Sequence, residues 1–295
     1  MQEVNCPICS RTSFKKVLYK EGYRIVKCRC GTWYVNPRDD FSKLKEGYNE
    51  NKISSMFDYQ NTYEDDKIDF EIRLKKVLVW INSLGKNIKR KLRLLDVGCN
   101  IGGFVEVAEK YGIDAKGIDV NKSAIEFGRK KGLDLECKTI HDVKEKFDII
   151  IMNDLIEHVP EPIKEIKKAK ELLSADGFLF ISTPNTESLA FKIFKSKWLH
   201  LKPKQHIQYF NRDIMRGLMN RYGFGVWEEW NTSRHRSIKV ITEKISSYSK
   251  IIGGIFRFVL YPIRNISIPI NSFDELGIIG KKISKKDLKV VIHGK

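Results

Sequence analysis

Long apolar runs are missing from this chain: no stretch of its 295 residues approaches the ~18 consecutive apolar positions that a membrane-spanning helix needs. No apolar signal-like region follows Met1, so a cytoplasmic, reducing location is expected. Acidic side chains are scarce beside basic ones, 37 Asp and Glu against 54 Lys and Arg, a formal net charge of +17. That imbalance points to an anionic partner, whether nucleic acid, lipid or a phosphate-bearing substrate, unless it reflects a Lys-rich proteome. Cysteine is nearly absent beyond residue 30, where only Cys99 and Cys137 occur. Such crowding at one end argues against a disulfide framework and for a metal site. The 42% hydrophobic content excludes wholesale disorder, and the length suffices for one domain plus a small appendage.

The crowded cysteines stand as two pairs, Cys6 and Cys9 in CxxC, Cys28 and Cys30 in CxC. A strand-like segment with Tyr23, Ile25 and Val26 delivers the second pair, and Gly31 allows a tight turn after it. Four thiolates gathered by a hairpin match a tetrahedral Zn²⁺ site with no position left for water, hence a structural one; a metal-free remnant is the alternative. Residues 1–40 therefore read as a zinc-ribbon-like segment. Over 41–91 a linker carrying Tyr48, Tyr59 and Tyr63 leads to a helix expected over 68–84. Its Phe70, Leu74, Val77, Leu78 and Ile81 share one face, and Gly85 stands as C-cap.

Residues 92–105, LRLLDVGCNIGGFV, read as strand, tight loop and helix. Gly98 and Gly102 permit backbone angles and close ligand approach that a side chain would forbid, and Asp96 closes the strand. A second short strand ends on Asp119, 23 residues after Asp96, the distance at which a carboxylate receives ribose hydroxyls in nucleotide-binding βαβ units. Asn121 and Ser123 are better placed than Asp119 to cap the next helix. A strand is expected within 133–142, and the unbroken FDIIIM over 147–152 reads as buried on both faces. Strands alternate with helices, so the sheet is doubly wound, and Gly98, Asp119, Asp142 and Asn153 should converge beyond its carboxyl ends. There NDLIEHVPEP places Asp154, Glu157 and His158. A histidine in that crevice is either a general base or a packing residue.

In this order the motifs resemble the class I S-adenosylmethionine-dependent methyltransferases. LLDVGCNIGGFV resembles their cofactor loop, with Asn100 where a glycine is usual; Asn tolerates left-handed angles. GIDVN, FDIIIMNDLIEHVPEP and LLSADGFLFISTPN resemble later strands, and Trp198, His206 and FNRDIMRGLMNRYGF one branch of the family. The N-terminal CGTWYVNPR is similar to the zinc-ribbon preface of methyltransferases from sugar and surface-glycan pathways. The resemblance implies an α/β, Rossmann-like fold, a doubly wound seven-stranded sheet with an antiparallel last hairpin over 92–295, plus the zinc ribbon. It implies that Asp96, Gly98 and Gly102, with loop residues Cys99 and Asn100, cradle the methionine moiety. Asp119 and Val120 would take the ribose, Asp142 the adenine edge and Asn153 the amino-acid end. His158 is the first choice of base and His206 the second. Asp154, Glu157 and His158 are also similar to the triad that binds a divalent metal in ubiquinone-pathway O-methyltransferases. The expected activity is methyl transfer to a hydroxyl of a small molecule or glycan precursor, a sugar by preference. The alternatives are an RNA methyltransferase reading its substrate through ribbon and basic surface, and an inactive nucleotide-binding module.

Segments 226–230 and 274–283 resemble the last two strands. Between them, at about 235–270, lies an apolar insertion with Lys250, Arg257 and Arg264 interspersed, too short to span a bilayer. It reads as an interfacial helix on an anionic leaflet, which would make the protein peripheral to the membrane, or as a substrate lid or dimer helix.

Overall fold

The computed structural model describes residues 1–39, 52–85, 90–270 and 273–283. Strands β1 (Phe14–Lys20) and β2 (Tyr23–Cys28) are joined by Glu21 and Gly22 at φ 51° and 80°, the doubly left-handed turn that suits a two-residue hairpin. Strand β3 (Trp33–Val35) pairs antiparallel with β2. Helix α1 (Lys52–Ser83) begins well before the expected residue 68. Its added turns carry Glu64, Asp65 and Asp66 in place of a clear apolar stripe, so hydrophobic periodicity gave no sign of them. Leu74, Val77 and Ile81 are buried as expected, and Gly85 follows the helix at φ 62°. Tyr48 lies outside the described residues, as does the side chain of Tyr59.

The chain then alternates: β4 (Arg93–Val97), α2 (Gly103–Lys110), β5 (Asp114–Asp119), α3 (Lys122–Lys130), β6 (Leu135–Cys137), β7 (Phe147–Asn153), α4 (Pro162–Leu172) and β8 (Leu173–Pro184). After α5 (Leu189–Phe194), β9 (Gln208–Tyr209) and α6 (Arg212–Arg221), strand β10 (Phe224–Asn231) returns to the sheet. An insertion follows, made of β11 (Arg234–Ser237), α7 (Ile238–Tyr248), α8 (Lys250–Val259) and β12 (Ser267–Ile270), before β13 (Glu275–Lys282). The seven-stranded order is β10-β13-β8-β7-β4-β5-β6, with β13 antiparallel to both neighbours. Winding reverses between β4 and β7, the switch point beyond which such sheets bind ligands. Alternate residues face two cores: Leu95, Val97, Ile150 and Met152 lie on the side of α4 and α6, Leu94, Ile149 and Ile151 on the side of α1 and α2. That division is why the isoleucine run is unbroken.

Two strands depart from expectation. β6 is confined to three residues because Ile140–Asp142 turn into a 3₁₀ helix. β8 starts at Leu173, with Gly177 inside it: Phe147 pairs with Leu173 but Ile149 with Phe178, so the residues between bulge out, Asp176 at φ 61°. The cysteine-bearing sheet is not free-standing either. β9 adds to it as a fourth strand, Trp33 opposite Tyr209, and Phe191, Trp198 and Leu201 share its core.

Helix α1 is pinned to α2 by Glu106, which accepts from Tyr63 Oη at 2.5 Å and Lys67 Nζ at 2.9 Å. Burial alone would raise its pKa, but these donors together with Lys110 hold the carboxyl down at about 2. Its stabilisation is therefore full above the unfolded value near 4.5 and is lost as pH falls toward 2. Glu106→Gln should remove roughly 1–3 kcal/mol at neutral pH and flatten the acid limb of stability, measured by urea unfolding from pH 7 to 3.

Candidate active site and cysteine cluster

The loop leaving β4 turns because three residues take left-handed angles, Gly98 at φ 79°, Asn100 at 50° and Gly102 at 85°. Asn100 thus keeps the turn that a glycine would make. The amides of Gly98 and Cys99 bond the Ile118 carbonyl at 2.8 and 3.0 Å, tying the loop to β5. At the end of β5, Asp119 accepts from the Asn100 amide at 3.0 Å and the Asn121 amide at 2.7 Å, while Asn121 caps α3. Gly117 beside them leaves room for Cys99, whose Sγ would lie 2.7 Å from an added Cβ. Beneath the loop Asp96 is buried, and its Oδ1 has no hydrogen-bond partner among the described residues. Burial and the nearby Asp119 carboxylate push the Asp96 carboxyl up to about 8; burial likewise raises Asp119. Among the described residues neither carboxylate has a cationic side chain against it, which makes the pair a candidate site for a cationic ligand.

Asp142 does not join that pair through any described contact. It is exposed, and its Oδ2 accepts the Thr139 amide at 2.9 Å and hydroxyl at 2.7 Å, a capping box closing its own 3₁₀ turn. Val120 is half-buried beside Asp119, its carbonyl 3.8 Å from Cys137 Sγ. Asn153 lies at the end of β7, its amide oxygen held by Arg73 and, at 3.1 Å, by the Ser182 hydroxyl.

His158 and His206 come together although 48 residues separate them, their rings T-shaped with centroids 4.7 Å apart. His158 Nδ1 lies 2.9 Å from the Gln205 carbonyl and His206 Nδ1 2.8 Å from that of His200. Carbonyls only accept, so each Nδ1 donates and each Nε2 carries the lone pair. Burial lowers both, His158 to about 4, so both imidazoles are neutral at pH 7. Glu157 is buried, accepts from Thr183 Oγ1 at 3.1 Å and is raised by burial and by Asp154. Donor atoms of Glu157, His158 and His206 lie within 4.8 Å of one another, close enough to share a metal ion. Asp154 is not in that group: Ser182 Oγ donates to it at 2.9 Å and Arg234 pairs with it at 2.9 Å.

Residues outside the expected set gather beside Asn153 and Asp154 at the strand ends. Arg73, buried on α1, reaches Asn153 and lies 3.6 Å from Glu275; Arg234 joins Glu275 to Asp154. A ladder along α1 holds the insertion over these strand ends, with Asp69 accepting the His235 amide at 3.0 Å, Asp66 pairing with Arg236 at 2.9 Å and Asp65 accepting the Ser237 amide at 2.7 Å. Arg73 did leave a trace in the sequence, since it interrupts the Phe70–Leu74–Val77 stripe at a position facing the core.

In the N-terminal sheet Cys6 Sγ is 3.6 Å from Cys30 Sγ, Cys9 Sγ is 3.4 Å from Cys28 Sγ, and all four lie within 4.8 Å of one another. A tetrahedral Zn–S₄ centre with bonds of about 2.3 Å sets its sulfurs about 3.8 Å apart, so the cluster fits the ion. The CxC spacing is no obstacle, because Gly31 at φ 103° follows Cys30 and turns the chain.

A ubiquinone biosynthesis O-methyltransferase of Actinobacillus pleuropneumoniae is 36% identical over 115 residues, covering 34% of this chain and 49% of that protein. The chain spans about half the length of the curated relatives it matches. A Burkholderia thailandensis 1,6-didemethyltoxoflavin-N1-methyltransferase superposes with a TM-score of 0.53 at 13% identity, covering 92% of this chain and all of that one. A magnesium protoporphyrin IX methyltransferase of Synechocystis gives 0.51 at 15% identity, covering 81% and 99%. Residues 70–229, more than half of the sequence, match the family pattern described as a methyltransferase domain. The chain belongs to that methyltransferase family and carries its class I, S-adenosylmethionine-dependent fold.

Proposed function

We propose that this protein transfers a methyl group from S-adenosylmethionine to a hydroxyl of a small molecule. The observation that carries the reading is the pair of buried Asp96 and half-buried Asp119 at a left-handed loop, an acidic site suited to a ligand bearing both an ammonium and a sulfonium. Gly98, Cys99, Asn100 and Gly102 would lie against the methionine portion, Asp96 would face its ammonium, and Asp119 with Val120 the ribose. Asp142 is offered for the adenine edge only if it leaves its own cap, and Asn153 for the amino-acid end alongside Arg73.

When bound, the cofactor supplies an electrophilic methyl carbon on sulfur. A hydroxyl must lose its proton as its oxygen closes on that carbon and the carbon–sulfur bond breaks with its electron pair going to sulfur. Nε2 of His158 takes the proton, and the Gln205 carbonyl fixes the tautomer that can. His206 supports the ring and is the second base. A divalent cation held by Glu157, His158 and His206 is a second reading, favoured by both imidazoles giving their Nδ1 hydrogen to carbonyls as metal-ligating histidines do. Four cysteines at zinc spacing support a structural Zn²⁺. A sugar or glycan precursor remains one acceptor within this class; quinol-like phenols enter through the O-methylating relatives. For the RNA reading the ribbon offers Tyr19 and Phe14 as exposed aromatic faces, Trp33 and Tyr34 being buried.

Calorimetric titration should give S-adenosylmethionine binding and none for NAD. Ionised Asp96 is the binding form, so affinity should rise up to about tenfold per pH unit between pH 5 and 7 and release a proton, and Asp96→Asn should abolish that slope. A labelled-methyl screen over phenols, nucleotide sugars and RNA then assigns the acceptor. Binding of NAD alone, or label on RNA alone, would overturn the proposal.

A further inference from the structure

The insertion between β10 and β13 leaves an apolar face uncovered. Helix α8 packs on α7 through Gly253, where an added Cβ would sit 2.3 Å from Ser246 Cα, and Arg257 on the same side donates to Ser246 Oγ at 3.3 Å. At 100° per residue the opposite side carries Ile255, Phe258 and Val259, which are 59, 85 and 64% exposed. The chain beyond keeps Tyr261, Ile263, Ile266 and Ile268 exposed as well. An apolar surface this continuous on a single element marks an interaction site.

Its occupant is indicated by charge. Residues 238–270 contain five basic side chains and one acid, Glu243. A cleft of about 270 Å³ opens between α7 and the turn after α8, with three cations, Lys239, Arg257 and Arg264, against one acid, Glu243, in its wall and Leu260 and Tyr261 on its apolar side. Arg264 lies 4.1 Å over the Tyr261 ring, so its guanidinium is held at the junction between apolar face and cleft. A protein partner would favour an interface centre depleted of charge, whereas an anionic bilayer needs cations bordering an apolar helix face. Among the described residues no helix is long and apolar enough to cross a membrane, so the contact is interfacial.

We propose that the insertion docks on the anionic leaflet of a phospholipid bilayer, Ile255, Phe258 and Val259 entering the acyl boundary while Lys239, Arg257 and Arg264 receive a lipid phosphate. This is independent of methyl transfer. It acquires functional sense from β11, whose Arg234 reaches Asp154 at the strand ends, so that an amphiphilic acceptor could pass from the leaflet to the crevice.

Co-sedimentation of the full chain with phosphatidylcholine vesicles, with and without phosphatidylglycerol, tests it. Binding is expected to the mixed vesicles only, weakening as salt is raised. Phe258→Glu with Val259→Glu should reduce it at least about tenfold, and Arg257→Glu or Arg264→Glu about fivefold each, with S-adenosylmethionine binding retained as proof of folding. Equal binding to both vesicles, unchanged binding of the Phe258→Glu protein, or a dimer abolished by that substitution in sedimentation equilibrium would each overturn it. Full competition by glycerol phosphate would also overturn it, by making the cleft a site for a free phosphate.

Discussion

His158→Ala lowers turnover by about 10²–10⁴-fold with S-adenosylmethionine affinity nearly unchanged. The size follows from the proposed role: a hydroxyl is a poor nucleophile until its proton has somewhere to go, and Nε2 of His158 is the acceptor proposed for it, the Gln205 carbonyl fixing the tautomer. Affinity survives because the cofactor loop is held by other groups, chiefly Asp119 and the Ile118 carbonyl. The pH profile separates this role from a packing one. Burial lowers His158 to about 4, so at saturating S-adenosylmethionine kcat should hold as pH falls from 7 to 5 and decline only near 4, below which the ring is protonated and cannot accept. A wild-type limb at 6.5, or an alanine variant with full turnover, would remove His158 from the reaction. His206→Ala should show a smaller loss, with a reduced affinity for added Mn²⁺ if the Glu157–His158–His206 group holds a cation.

Chelating the zinc proposed for the four cysteines should abolish turnover more completely than its distance from the chemistry suggests. The sheet buries Ile25, Val26, Trp33, Tyr34 and Val35, but structural zinc contributes on the order of 10 kcal/mol to such folds, so losing it should loosen the cysteine-bearing turns and with them β3. β3 pairs with β9, and the residues just before β9 carry His206 and strap the 156–159 loop: the Ile207 amide donates to the Glu157 carbonyl at 3.0 Å, and the Gln208 side chain donates to the Ile156 and Val159 carbonyls at 2.8 and 2.7 Å. Releasing β9 therefore releases both histidines, and misplacement by an ångström is worth about 100-fold in rate. Cys28→Ser should reproduce the loss. Zn²⁺, but not Mg²⁺, should restore the chelated protein, and cofactor binding, resident on β4 and β5, should persist throughout. Turnover surviving with one zinc equivalent removed would separate ribbon from site.

What the sequence disclosed about this molecule was local. Strand, loop and helix over 92–105 were legible because glycine spacing and apolar alternation act within a few residues, and Asn100 takes the angle expected of it. The seven-stranded sheet followed from the alternation of such units. The ion pairs at the strand ends were not legible: Arg73 meets Glu275 and Arg234 meets Asp154 across some 200 and 80 residues, and although Arg73 breaks an apolar stripe, nothing in that pattern names its partner. β9 has two residues, too few to show any pattern, yet it joins the ribbon to the histidines. Asp142 shows a local partner that its position did not announce: Thr139, three residues earlier, bonds its carboxylate in a capping box.

Asn231 of β10 lies opposite Leu276 of β13, so everything between them is, topologically, the loop of a hairpin. Loop-closure entropy grows only with the logarithm of length, so such a loop can lengthen, shorten or change its chemistry with little effect on the strands that flank it. Evolution can thus rewrite the surface this protein shows its surroundings without touching the cofactor end, and relatives that share the sheet need not share a cellular address.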